Sequence, residues 1–286
     1  MEKYPERVKM ASIVISKNIY SGRYQVIHNP LAKGSSPRYR VIGDGGHGEE
    51  TRPFGVTSIL GKVLAKDLIG WALGSYEKEL LVRLAANGRI DEEDITESKQ
   101  SSAKKRDAGA DTGSIVHAAV EAYLRGGTSI SYLTKEGAKA YGAFVKWFEG
   151  VKPEVLGVED VIYSKSYDYA GTFDCMLRIG GKVYLCDLKT TNASKTAKKG
   201  VYPEMFLQLG GYAWAYGEER LYDLAETGES QLYAVDGLMV ISAKKDGKLD
   251  IVTNEDVGIA VDECGSRFIE VVDIFNYLKE TERRLK

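Results

Sequence analysis

Cysteine is scarce in this chain: Cys175, Cys186 and Cys264 are the only three among 286 residues. An odd, scattered set cannot supply a four-thiolate zinc or iron–sulfur centre, and it points to a reducing compartment. Long apolar runs are missing too, and none is long enough to cross a bilayer. The opening Met1-Glu-Lys-Tyr-Pro-Glu-Arg7 lacks the apolar segment of a signal peptide. Its two early acids and want of serine argue against a transit peptide, so the cytoplasm is the expected location. There is little excess charge. With 39 basic and 41 acidic side chains the formal net charge is −2. That balance does not advertise a nucleic-acid binder, yet a local basic groove suffices for one. No Gly-x4-Gly-Lys-Ser/Thr segment is present, which excludes a phosphate-binding loop of the motor type. There is no internal repeat and no low-complexity tract.

What remains is an ordinary globular composition, 43% hydrophobic and 28% charged, on a chain long enough to bury a large core. Ala11–Ile15, Tyr24–Ile27 and Tyr39–Ile42 read as short strands between turn residues, followed by a loop at Gly43–Glu50. From Val56 the apolar period becomes helical. A helical stretch is expected over Ser58–Asn87, with breaks at Gly61, Gly70 and Gly74 and an end at Gly88. Residues 91–110 read as polar and helical. Helices follow at Thr112–Leu124 and Thr134–Phe148, then strands near Val158–Tyr163, Gly171–Ile179 and Lys182–Thr190. A helix at Glu204–Tyr216 is opened by Pro203. A β pair at Leu232–Ser242 and Leu249–Thr253 turns at Asp246-Gly247, and a helix closes the chain over Asp262–Leu285. This order predicts an α/β (α+β) fold with a central mixed sheet flanked by helices. Three regions are expected: a β-rich N-terminal region (1–55), a helical segment (56–110) and a core (111–286).

The chemistry concentrates in Gly171-Thr-Phe-Asp-Cys-Met-Leu-Arg-Ile-Gly-Gly-Lys-Val-Tyr-Leu-Cys-Asp-Leu-Lys-Thr190. Gly180-Gly181 suits a two-residue hairpin loop, because a type I′ turn needs positive φ at both positions. That loop sets Ile179 opposite Lys182 and Met176 opposite Leu185, and it predicts Asp174 directly opposite Asp187. Two carboxylates so placed repel each other, and a cation relieves the repulsion. The second strand is apolar on both faces, so it is expected to be central and buried, where an unpaired carboxylate is costly. Lys189 shares the face of Asp187. It reads as an ion-pair partner, as a group that orients an attacking water and counters phosphate charge, or as both. His117 and Glu121 lie one helical turn apart; His117 is either a packing residue or a metal ligand. Gln208 and Tyr212 share the same spacing on a helix that tolerates Gly210 and Gly211, which implies close packing there. Lys195, Lys198 and Lys199, like Lys104-Lys105-Arg106, form either a solvated surface or phosphate contacts. Cys175 and Cys186 are expected to face each other as buried free thiols, a cross-strand disulfide being the alternative.

Taken together, these residues resemble the PD-(D/E)XK nuclease superfamily, and within it the RecB-like exonuclease branch. The resemblance covers roughly Val56–Tyr216. It rests on Gly113-x3-His117-x3-Glu121, Gly171-Thr-x-Asp174, Asp187-Leu-Lys189-Thr-Thr and Gln208-x3-Tyr212, in that order. Val56-Thr-Ser-Ile-Leu60 with Trp71 also looks like phage and mitochondrial members. No proline precedes Asp174, a departure the superfamily tolerates. The resemblance implies a restriction-endonuclease-like core and a DNA exonuclease acting on single strands or ends in recombination, repair or replication. It implies one or two Mg2+ or Mn2+ ions held by His117, Asp174, Asp187 and the Leu188 carbonyl. Lys189 would be catalytic and Glu121 an auxiliary acid. Gln208 and Tyr212 would position DNA, aided by Thr190, Lys195, Lys198 and Lys199. The cysteines that hold an iron–sulfur cluster in several relatives are missing, so no cluster is expected. The setting implied is a bacterial or phage-infected cell, with a single-strand-binding or annealing protein as a partner. A structure- or site-specific endonuclease, and a non-catalytic nucleic-acid-binding protein, are the alternative readings. The N-terminal region and helical segment are expected to wall a channel leading to the site.

Overall fold

A computed structural model describes residues 14–30, 32, 36–64, 68–127, 133–192 and 200–286. The N-terminal region is an antiparallel sheet of β1 (Ile15–Ile19), β2 (Tyr24–His28), β3 (Tyr39–Ile42) and β4 (Glu50–Thr51), in that order. A two-residue strand, β5 (Phe54–Gly55), leads into α1 (Val56–Val63), α2 (Leu68–Asn87), α3 (Glu92–Lys99), α4 (Ser101–Leu124) and α5 (Lys135–Val151). Then come β6 (Glu154–Ser164), β7 (Tyr169–Ile179), β8 (Lys182–Thr191), α6 (Pro203–Thr227), β9 (Gly237–Lys244), β10 (Leu249–Thr253) and α7 (Val261–Arg284).

The central sheet is mixed and flanked by helices, as expected. Its order is β10-β9-β8-β7-β5, with β6 on the other edge of β7. β8 and β9 run parallel, as do β5 and β7, while the remaining pairs are antiparallel. One face packs Met176, Val183, Leu185 and Leu238 against Phe206, Leu209 and Tyr212 of α6, with α1 and α7 behind. The other packs Cys175, Leu177, Cys186, Leu188 and Ile241 against Val116 and Val120 of α4 and Phe144 of α5. A strand apolar on both faces does belong in the middle of the sheet: β8 lies between β7 and β9. A third core joins the N-terminal sheet to β6 and β7 through Ile19, Tyr20, Val26, Val161 and Tyr163.

Glycine accounts for two close approaches. A Cβ on Gly210 would lie 2.4 Å from the Cys264 carbonyl of α7, and one on Gly211 would lie 2.7 Å from the Phe268 ring. Gly210 therefore lets α6 meet the backbone of α7 and Gly211 admits the Phe268 ring, and that packing offsets a propensity cost of about 1 kcal/mol each.

Several element bounds differ from expectation. The first strand starts at Ile15 rather than ending there, and the expected residues 11–13 lie outside the described ones. The polar stretch expected over 91–110 is divided: its first half is α3, and its second half opens α4, which begins at Ser101 and runs unbroken through the motif helix to Leu124. Helix α6 continues to Thr227 and ends where Gly228 adopts φ +77°. The strand expected from Leu232 starts only at Gly237; just before it, the Asp236 carboxylate accepts the Val183 N–H and the Asp236 N–H donates to the Val183 carbonyl. No helix among the described residues is long and apolar enough to cross a membrane.

Candidate active site

The hairpin forms with both loop glycines at positive φ, +57° and +84°. Its register matches expectation from Ile179–Lys182 to Cys175–Cys186. There the ladder stops. The pairing predicted between Asp174 and Asp187 is not made, for a local reason: the Asp174 carboxylate accepts the Leu188 N–H at 2.6 Å, taking a donor the ladder would have used. Further along, the same edge of β7 is taken over by β5, which pairs with Tyr169 and Ala170. β7 is thus forked between two neighbours, and Asp174 stands in the fork.

The strand also loses its alternation there. Tyr169, Phe173 and Met176 all face the α6 side, while Cys175 and Leu177 face α4 and α5. A strict period of two cannot give that pattern, so the phase slips by one residue at Asp174. Across from it on β6, between the Val158–Cys175 and Asp160–Phe173 pairs, sits Glu159 with φ +49°. A non-glycine residue with positive φ inside a strand is strained, and such strain collects at functional sites.

The slip turns Asp174 toward α4. Its Oδ1 lies 3.6 Å from Nδ1 of His117. Donor atoms of His117, Glu159 and Asp174 all lie within 4.8 Å of one another, a spacing that suits three ligands to one cation. Glu159 is the residue that motif reading missed. The available signal was an acid in the middle of the apolar run Val155–Tyr163; its φ and its position opposite Asp174 come from tertiary pairing.

Asp187 occupies the neighbouring position, on the α6 side. It is 2% exposed. Nζ of Lys189 is 2.7 Å from its Oδ1 and 2.6 Å from its Oδ2. Gln208 donates to Oδ1 at 3.1 Å and to the Tyr212 hydroxyl at 2.9 Å. Oδ2 is buried and, apart from its ion pair with Lys189, accepts no hydrogen bond of good geometry. The ring of Tyr212 is set by Gly171, where a Cβ would lie only 2.6 Å from it. That contact ties the Gly171–Asp174 motif directly to the Gln208–Tyr212 motif.

Electrostatics divide the acids. Burial raises Asp187 to about 6 against the pull of Lys189, with Asp174 adding to the rise. Burial would also raise Asp174, but His117, Lys189 and the Leu188 N–H outweigh it and hold the group below its ordinary value. Glu159 is pushed up to about 8, first by burial and then by the Asp174 and Glu121 charges. Burial works against the ammonium of Lys189, yet Asp187 and Asp174 keep it above its usual range. His117 is likewise raised, because Asp174 overcomes the effect of burial.

The other expected residues fall as follows. Glu121 is a turn beyond His117 and accepts from Arg125 at 3.0 Å, while Arg125 also donates to the Val158 carbonyl at 2.8 Å. The Thr190 hydroxyl is buried without a partner among the described residues. Leu188 is buried between β7 and β9. Lys195, Lys198 and Lys199 lie outside the described residues, as do the side chains of Trp71, Lys104, Lys105 and Arg106. Cys175 pairs with Cys186 across the hairpin, and all three cysteines are free and buried.

The donor set fits a hard or borderline divalent cation. Carboxylate oxygens suit Mg2+ and Mn2+, and an imidazole tilts the preference to Mn2+. The buried Asp187 oxygen without a hydrogen bond, and the crowding of like charges around Asp174, are the features a cation would relieve.

No protein-family model matches the sequence, and no curated protein matches it. Solved structures do resemble the chain. The structure of SSO0001 is 15% identical with a TM-score of 0.30, over 49% of this chain and 57% of its own. A putative exonuclease from Eubacterium rectale is 15% identical with a TM-score of 0.31, over 77% of this chain and 81% of its own. The alkaline exonuclease LHK-Exo from Laribacter hongkongensis, in complex with dAMP, is 14% identical with a TM-score of 0.32, over 82% of this chain and 95% of its own.

Proposed function

We propose that this chain is a Mg2+- or Mn2+-dependent deoxyribonuclease, acting as an exonuclease on single strands or DNA ends. The observation that carries this reading is the fork in β7. It brings His117, Glu159 and Asp174 together beside an Asp187 already paired with Lys189. Three carboxylates, an imidazole and an ammonium in one patch are the parts needed to hold a cation next to a phosphodiester.

His117, Glu159 and Asp174 would hold the ion, with Asp187 and the Leu188 carbonyl as further ligands. A bound divalent cation supplies a water acidified toward neutral pH and offsets charge on the phosphate. The protein's own groups do the rest. Asp187 and Asp174 favour the charged form of Lys189, so it would act as an electrostatic group, its charge facing the phosphoryl oxygens as negative charge builds there. Asp187 fixes Lys189 through both carboxylate oxygens. Gln208, anchored on Tyr212, fixes Asp187. The Leu188 N–H fixes Asp174. In the net reaction a water oxygen bonds to phosphorus, the bond from phosphorus to one sugar oxygen breaks, and that oxygen leaves with a proton. Thr190, Lys195, Lys198 and Lys199 are proposed to meet the DNA just past the site.

The test is digestion of end-labelled linear DNA beside covalently closed circles, with each metal. Degradation of linear strands and sparing of circles supports an exonuclease. Equal cutting of both moves the endonuclease reading ahead.

A further inference from the structure

Arg125 joins the end of α4 to the backbone beside Glu159. It caps the C-terminal end of that helix, one turn after Glu121, and its guanidinium forks. Nε donates to Oε1 of Glu121 at 3.0 Å, and Nη2 donates to the Val158 carbonyl of β6 at 2.8 Å. The first bond is an i,i+4 ion pair on an exposed face and contributes little by itself. The second spans 33 residues of chain and ends on the peptide next to the site.

That peptide controls Glu159. The Val158 carbonyl and the Glu159 N–H belong to one planar unit, and φ of Glu159 is the rotation of its Cα against that plane. The angle is +49°, between the paired residues Val158 and Asp160. A residue with a side chain is strained in this left-handed region. Turning the peptide toward extended φ would relieve the strain, but it would also move the Val158 oxygen and re-aim the Glu159 side chain. Arg125 holds that oxygen with a charge-assisted hydrogen bond, the stronger kind. In the strained setting a carboxylate oxygen of Glu159 comes within 4.8 Å of the donor atoms of His117 and Asp174. Glu121 is not part of that cluster, and its carboxylate is engaged by the guanidinium.

We propose that Arg125 is a positioning residue of the metal centre. Its fork, braced by Glu121, locks the Val158–Glu159 peptide and keeps the Glu159 carboxylate turned toward His117 and Asp174. The inference rests on the metal centre of the nuclease reading, and it gives Glu121 a bracing role in place of that of an auxiliary acid. Other roles for this arginine predict different results. As a bare positive charge it would repel the cation, and its removal would tighten metal binding. As a phosphate contact its removal would weaken DNA binding and its salt dependence and leave metal affinity alone. As a brace its removal weakens metal binding.

Titration calorimetry of Mn2+ into the metal-free full chain tests this, for the wild type, Arg125→Ala and Arg125→Lys, with melting temperatures taken on the same samples. Arg125→Ala is expected to raise the Kd for Mn2+ about 10- to 100-fold, the usual loss when a group that orients a ligand is removed. Its metal-free melting temperature should stay close to that of the wild type. Arg125→Lys keeps the charge but not the fork, and its affinity should fall between the two. Cleavage of a labelled single-stranded oligonucleotide by Arg125→Ala should need more Mn2+ and recover at saturating Mn2+, with KM for DNA unchanged. Folded Arg125→Ala or Arg125→Lys that binds Mn2+ as tightly as the wild type, or more tightly, overturns the inference. A loss of affinity that only tracks unfolding in both variants does the same. A wild type that binds Mn2+ without cleaving DNA overturns the nuclease reading and leaves the brace standing, whereas one that binds no Mn2+ overturns both.

Discussion

Glu219 gives a sharp test of how the N-terminal sheet is joined to the core. It lies on α6, is 3% exposed, and one carboxylate oxygen has no hydrogen-bond partner among the described residues. Burial raises it to about 7; Lys17 opposes that rise, while Asp223 and Asp160 add to it. A carboxyl of this kind binds its proton more tightly when folded than when unfolded. Its contribution is therefore favourable at low pH and is lost as pH rises from the unfolded value, about 4.5, through about 7. A difference of roughly 2.5 pKa units at 1.36 kcal/mol each is about 3 kcal/mol. Glu219→Gln removes the titration and keeps the shape. The substitution should be nearly neutral near pH 4 and should stabilise the protein by up to about 3 kcal/mol near pH 8. Urea unfolding of both proteins at half-unit pH intervals measures this difference and cancels every other titrating group. A stability difference that stays flat between pH 4 and pH 8 would refute the reasoning, and one that falls with pH would reverse its sign.

Three other outcomes follow from the site. Gly171→Ala forces a methyl into the Tyr212 ring and should cost about 1–3 kcal/mol; in a double-mutant cycle with Tyr212→Ala the two costs should be clearly less than additive, as read by chemical denaturation. Asp187→Asn removes one buried like charge beside Asp174. It should leave the metal-free protein folded with an equal or higher melting temperature while abolishing cleavage, which calorimetry and a gel assay check in parallel. His117→Ala should weaken Mn2+ binding, measured by titration calorimetry, without a matching loss in melting temperature; a loss of stability with unchanged metal affinity would make His117 a packing residue only.

Much of this arrangement is legible in local sequence because local rules govern it. The Gly180-Gly181 turn dictates the hairpin, and the alternation of β8 tells which residues share a face with Asp187. β10 and the motif end of α4 fall where periodicity puts them. Glycines that look unfavourable in α6 mark real close contacts, Gly210 with the Cys264 backbone and Gly211 with the Phe268 ring of α7. The failures are tertiary. Extending the hairpin register by one pair puts Asp174 opposite Asp187, but a side-chain bond to the Leu188 N–H competes with the ladder and wins. Glu159 joins the site through a backbone slip shared by β6 and β7, which no periodicity announces. Tyr39 belongs to a sheet far away in sequence, and its contact with Thr172, two residues before Asp174, depends on tertiary packing.

We propose that His117, Glu159, Asp174 and Asp187 form a metal-dependent phosphodiester-cleaving centre. The most direct measurement is hydrolysis of an end-labelled single-stranded oligonucleotide by the wild type and by Asp174→Ala, in Mn2+, in Mg2+ and in excess EDTA. The wild type should cleave in either metal and better in Mn2+, stop in EDTA, and lose all turnover in the folded Asp174→Ala variant. Cleavage that persists in EDTA or in Asp174→Ala, or a wild type inert in both metals, would contradict it.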